Sequence, residues 1–125
     1  MRKIVLVLSK MAAALLLVSG VALADHLVNT VYCPADEFGY CEGTEESEHI
    51  YGTDPRDYIY AYGGDDLVDA NAGDDVVSSD ADNDTLYGGE GGNRLDGADG
   101  NDEVFRAAGP DELDGYEGDE TISTA

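Results

Sequence analysis

An all-β solenoid of short parallel strands is the fold class that this 125-residue sequence predicts. Three observations predict it. A period of nine residues runs without insertion from Glu42 to Ile122, an aliphatic residue closes every unit, and glycine recurs at one place within the unit. Glycines and charges throughout such a period would ruin an amphipathic helix. A six-residue turn followed by a three-residue strand fits instead. One such strand buries a single side chain and cannot stand alone, whereas stacking many in parallel buries the aliphatics as continuous ladders.

The first element stands outside that period. "MRKIVLVLSKMAAALLLVSGVALA" opens on Arg2 and Lys3, continues apolar and ends on Ala22-Leu23-Ala24. It reads as a secretory signal peptide with an A-x-A cleavage site and a mature start near Asp25. A retained membrane anchor is the rival reading. Lys10 interrupts the run, and the apolar stretch after it is short for a bilayer span. The chain is therefore expected to be secreted, with no membrane span after cleavage.

Removing residues 1–24 leaves Arg56, Arg94 and Arg106 against all 28 acidic residues. That balance excludes nucleic acid and anionic membrane surfaces as electrostatic partners and favours cations. It also fits intrinsic disorder. In residues 25–41, Cys33 and Cys41 make an even count in an exported segment, which predicts a local disulfide. A zinc site would need more ligands than these two and the chain's only histidines, His26 and His49. This segment is expected to cap the N-terminal end of the coil.

The period itself answers the disorder reading. The nine units are EGTEESEHI, YGTDPRDYI, YAYGGDDLV, DANAGDDVV, SSDADNDTL, YGGEGGNRL, DGADGNDEV, FRAAGPDEL and DGYEGDETI, spanning 42–122 and followed by a three-residue tail, 123–125. Their last column is Ile50, Ile59, Val68, Val77, Leu86, Leu95, Val104, Leu113 and Ile122. Leu67 and Val76 are the only other Ile, Leu or Val residues of this stretch, and a disordered chain keeps no such grid. The seventh column is Glu48, Asp57, Asp66, Asp75, Asp84, Asn93, Asp102, Asp111 and Glu120. The fifth is glycine in six units, which asks for a positive φ or a close approach, and Asp82 in that column tolerates the same backbone.

Shifted by one residue, each unit reads against the pattern G-G-x-G-x-D-x-U-x. "GADGNDEVF" from Gly97 and "GGEGGNRLD" from Gly88 come nearest, each with one substitution among the five defining positions. The region thus resembles the hemolysin-type, or repeats-in-toxin, calcium-binding nonapeptide family. The resemblance implies a parallel β-roll with two units per turn, in which units n and n+2 stack on one side and hold Ca²⁺ between their glycine-rich loops. It implies several calcium ions per chain and makes the whole seventh column the candidate metal ligands. On one side the pairs are Glu48/Asp66, Asp66/Asp84, Asp84/Asp102 and Asp102/Glu120. On the other they are Asp57/Asp75, Asp75/Asn93 and Asn93/Asp111. Asn93 keeps a carbonyl oxygen without the charge, so weaker sites are expected beside it. Asp65, Asp74 and Asp119 are read first as solvated.

A magnitude supports the cation. Carboxylates one strand spacing apart, about 4.8 Å, repel by roughly 0.9 kcal/mol in water and about 3–4 kcal/mol at an effective dielectric of 20. A ladder of them is unfavourable unless a cation lies between the rungs. Carboxylates and turn carbonyls are hard oxygen ligands on flexible loops, which suits Ca²⁺ better than Mg²⁺. Folding and calcium binding are then expected to be one event.

Several units depart from the pattern. Pro55 and Arg56 occupy one turn, Arg106 and Ala107 replace the first two glycines of another, and the first unit lacks the turn glycine. The leader is N-terminal where many relatives carry a C-terminal export signal. The chain stops three residues after Ile122, which predicts an open ladder end and a place for association. An enzyme is not expected: Ser78 and Ser79 lie in no G-x-S-x-G elbow, and His49 reads as an outward strand residue. The alternative function is a cell-surface, adhesive or glycan-binding module. Tyr51, Tyr60, Tyr87 and Phe105 share the outward first column, where packing along the rungs is the plainer reading.

Overall fold

The computed structural model describes residues 29–107 and 109–124; the leader and its cleavage site lie outside the described residues. Strands are numbered in chain order. One six-stranded sheet is built from β1 (Asn29–Tyr32), β3 (Glu48–Tyr51), β5 (Leu67–Asp69), β7 (Thr85–Tyr87), β9 (Glu103–Arg106) and β11 (Thr121–Thr124). A five-stranded sheet takes β2 (Tyr40–Glu42), β4 (Tyr58–Tyr60), β6 (Val76–Ser78), β8 (Arg94–Asp99) and β10 (Glu112–Glu117). All pairings are parallel, and consecutive strands alternate between the sheets. The fold is a parallel β-solenoid of about five turns, two units to the turn, in agreement with the expected β-roll.

Register follows from the period. In the first sheet Ile50, Val68, Leu86, Val104 and Ile122 stand opposite one another, each eighteen residues after the last. In the second the column is Cys41, Ile59, Val77, Leu95 and Leu113. Three-residue strands such as Tyr58–Tyr60 bury only their central side chain, because successive side chains point to opposite faces. The two central columns meet between the sheets as the core. Ile50, Ile59, Val68, Val77, Leu86 and Leu95 are fully buried there, while Ile122 on the last rung is 55% exposed.

Residues 29–42 do more than cover the end. They form a turn of the coil themselves, with Val31 paired to Ile50 and Cys41 to Ile59. The step from β1 to β3 is nineteen residues rather than eighteen, and the expected Cys33–Cys41 disulfide closes the loop between β1 and β2. Among the described residues no helix is long and apolar enough to cross a membrane.

Candidate metal centre

The turns decide where the seventh column goes. Gly91 has φ +110°, and a Cβ there would fall on the carbonyl oxygen of Gly73, eighteen residues earlier. Glycine thus meets both demands read from the sequence: a left-handed backbone, and loops stacked too closely for a side chain. Asp82 takes the same conformation at φ 76°. The third column is left-handed as well, at Tyr62, Asn71, Asp80, Gly89 and Ala98.

Close stacking drives the seventh-column side chains inward. Glu48, Asp57, Asp66, Asp75, Asp84, Asn93 and Asp102 are all buried, while Asp111 and Glu120, near the C-terminal end, are half-buried. Each Asp or Asn beyond the first turn reaches back to the preceding rung. Asp66 Oδ1 accepts the main-chain N–H of Glu48 at 2.8 Å, Asp84 Oδ1 that of Asp66 at 2.8 Å, and Asp102 Oδ1 that of Asp84 at 2.9 Å. On the opposite edge Asp75 Oδ1 accepts from Asp57 at 2.8 Å, Asn93 Oδ1 from Asp75 at 3.0 Å, and Asp111 Oδ1 from Asn93 at 2.9 Å. The n, n+2 pairing is therefore a physical juxtaposition.

In Asp66, Asp75, Asp84, Asp102 and Asp111 one carboxylate oxygen is thereby used, and the other is not. Oδ2 of Asp66, Asp75, Asp84, Asp102 and Asp111, and Oε1 of Glu120, are buried with no hydrogen-bond partner. A buried carboxylate oxygen without a donor costs on the order of 1–3 kcal/mol or more. Burial, with the next rung's carboxylate adding to it, pushes Asp66 up to about 8 and Asp84 up to about 7. Burial also raises Asp75 to about 6 and shifts Asp102 upward. Burial is the leading cause in each, and only beside Asp75 does a cation, Arg56, pull the other way.

Asn93 shows what surrounds the unpartnered oxygen. Its Oδ1 makes the same ladder bond as the aspartates. Its Nδ2, isosteric with their Oδ2, donates to the carbonyl oxygens of Gly88 at 3.0 Å and Gly89 at 3.2 Å. That side of the side chain thus faces turn carbonyls. Asp102 repeats the arrangement, since a Cβ on Gly97 would fall on Asp102 Oδ2. An aspartate in this place sets a carboxylate oxygen against carbonyl oxygens, an all-acceptor set that fits a hard cation. Among the described residues no three His, Cys, Asp or Glu side chains gather at one point. At Asn93 the side chain is met by main-chain carbonyls, a lining that residue types alone do not reveal.

A second ladder escaped the sequence reading. Sixth-column side chains reach forward, opposite to the seventh: Ser47 Oγ accepts the N–H of Asp65 at 3.0 Å, and Asp65 Oδ1 accepts that of Asn83 at 3.0 Å. Asn83 Oδ1 accepts from Asn101 at 2.9 Å, and Asn101 Oδ1 from Asp119 at 3.0 Å. The signal was present as a column of short acceptors, Ser47, Asp65, Asn83, Asn101 and Asp119. On the other edge only Asp74 continues it, to Gly92 at 2.8 Å. There Arg56 instead donates from Nε to the carbonyl of Asp74 and lies over the Tyr58 ring.

With that geometry in place, one comparison decides the family. The family model described as RTX calcium-binding nonapeptide repeat, four copies long, matches residues 42–77, 69–104 and 78–113. The chain belongs to this family. No curated protein and no solved structure matches it. RTX repeats bind Ca²⁺ and are structural calcium-binding elements. Of the first-column aromatics of this RTX chain, Tyr87 stacks on Phe105 with centroids 4.7 Å apart, and Tyr51 on Tyr32 of the preceding turn at 5.5 Å. His49 sits edge-on to Tyr51, and buried Ser79 donates to the Gly97 carbonyl.

Proposed function

We propose that this is a secreted calcium-binding protein whose coil becomes stable when calcium neutralises the seventh column. The carrying observation is the row of buried, unpartnered carboxylate oxygens along the seventh column. Asp66, Asp84, Asp102 and Glu120 supply ligands along one edge, and Asp75 and Asp111 along the other. Calcium brings positive charge and takes several oxygen ligands in flexible geometry, which relieves both the burial and the mutual repulsion. An ion that binds the coil but not the open chain shifts the folding equilibrium toward the coil, so folding and binding are coupled. Extracellular modules of this kind bind at about 0.1–1 mM, a range suited to an exported chain.

Export is supported by the leader reading and by a disulfide, which persists in oxidising compartments. The adhesive alternative rests on the aromatic column, where Tyr87 is 40% exposed while its ring stacks on Phe105; packing along the rungs is the plainer reading. The test uses the chain from Asp25 onward, which contains every described strand. Calcium is titrated against far-UV circular dichroism, with magnesium as the control. A coil-like spectrum in chelator that turns to a β spectrum at millimolar calcium is expected. Full β structure in a demetallated sample would reject the coupling.

A further inference from the structure

The nine seventh-column positions are not equivalent, and the difference lies in hydrogen-bond donors. In the first unit the N–H of Thr44 donates to Glu48 Oε2 at 3.0 Å and its hydroxyl to Glu48 Oε1. In the second, the N–H of Thr53 donates to Asp57 Oδ2 at 2.6 Å, and its hydroxyl lies 3.1 Å from both carboxylate oxygens. These two carboxylates head the nonapeptide columns; the rung before them is the turn 29–42, where the N–H of Gly39 goes to Asp36 Oδ1 at 2.9 Å instead. Threonine at the third position also explains the donation. In the five units that follow, that position is left-handed, at Tyr62, Asn71, Asp80, Gly89 and Ala98, a region that a β-branched residue resists. Thr44 and Thr53 are not among the positive-φ residues, and their N–H groups face the carboxylate instead. At Asn93 the carboxamide makes the corresponding contacts itself, to Gly88 and Gly89.

We propose that Thr44, Thr53 and the Asn93 carboxamide fill with hydrogen-bond donors the places that calcium takes on the other rungs, so that Glu48, Asp57 and Asn93 bind no ion. This inference rests on the calcium reading above. Its consequence is a chain divided along its length. The first turns, 29–60, carry the disulfide and two carboxylates whose oxygens all accept hydrogen bonds within their own unit, and they hold together without metal as a template, although burial still raises Asp57. From Asp66 onward the edge bearing Asp84, Asp102 and Glu120 is continuously calcium-dependent. The opposite edge is interrupted by one metal-free rung at Asn93.

Two measurements on the chain from Asp25 test this. The first is the number of calcium ions bound, by titration calorimetry checked by native mass spectrometry, for wild type and N93D. N93D restores the family's aspartate and is expected to bind one ion more than wild type and to require more calcium to fold. A calcium-folded N93D with unchanged stoichiometry would overturn the proposal. The second is hydrogen exchange of the wild type in chelator and in calcium, which serves even where N93D fails to fold. Loss of protection on chelation is expected to be at least ten-fold smaller at Ile50 and Ile59 than at Leu86 and Val104. Equal loss at both ends would overturn the template. Wild type that takes up no calcium at all defeats the calcium reading instead, an outcome distinct from either of these.

Discussion

The main-chain N–H of Asp66 donates to Asp84 Oδ1 at 2.8 Å, while Asp84 Oδ2 stays buried with no donor of its own. One side chain thus performs two separable tasks: it ties a rung to the one before it, and it offers charge to an ion. Substitutions can divide these tasks. Asp84→Asn keeps the ladder bond and supplies an amide, as Asn93 does. It is expected to bind fewer ions yet retain more β structure than wild type in chelator. Asp84→Ala removes both tasks and leaves the Asp66 N–H buried and unmet, costing about 1–3 kcal/mol in calcium. Urea unfolding at millimolar calcium, beside calcium counting, checks the pair; equal behaviour of the two variants would refute the division.

Acid is expected to substitute partly for metal. Burial raises Asp66 to about 8, Asp84 to about 7 and Asp75 to about 6, against an ordinary value of 3.8. Values raised in the folded state mean that the coil holds protons which the open chain releases. In calcium-depleted buffer the resulting stability is complete below the ordinary value and is lost as pH rises through 6 to 8. Circular dichroism should therefore show more strand near pH 5 than near pH 8.5. With calcium present the order reverses, because the ion requires deprotonated ligands. A metal-free sample better ordered at the higher pH would contradict the sign.

Gly91→Ala is expected to be among the most damaging single changes. The residue has φ +110°, and the added Cβ would meet the Gly73 carbonyl, so the substitution meets a backbone penalty of about 1–2 kcal/mol and a steric clash together. Gly92→Ala, whose nearest contact would be Pro110 Cγ at 3.2 Å, is the milder control. Thermal melts in calcium compare them, and a Gly91→Ala midpoint no lower than that of Gly92→Ala would count against close stacking.

Reduction of Cys33–Cys41 should lower stability by about 2–3 kcal/mol, the chain-entropy value for so short a loop. Because the bond lies in the first turn, away from the unpartnered oxygens, the number of ions bound at saturating calcium should not change. Urea midpoints of the C33S/C41S variant give the first quantity, and calorimetry the second.

Most of the fold was legible because its code is a single column. Ile50 through Leu95 recur every ninth residue, and burying that column fixes strand length, alternation between sheets and the eighteen-residue register. The acidic column was legible as a ladder, but its division of labour was not. Which oxygen of Asp84 is satisfied depends on backbone N–H directions that residue types do not encode. Thr44 and Thr53 drew no reading from the sequence, and their role as donors emerges only once the turn's path is known. Asn93 read as a weaker ligand through its carbonyl oxygen. Its oxygen accepts the Asp75 N–H, as the aspartates' Oδ1 accept theirs, and its amide nitrogen donates to the Gly88 carbonyl, a contact that the residue type does not announce.

Because the seventh-column bonds run backward and the sixth-column bonds forward across the same eighteen-residue step, the chain's natural unit of growth is the pair of nonapeptides. Excising eighteen residues from the middle lets the remaining turns close on equivalent partners. Excising nine transposes every later repeat to the opposite edge, setting Asn101 and Asp102 beneath the turn of Asp74 and Asp75. Duplications that lengthen such a protein should therefore be inherited in even numbers.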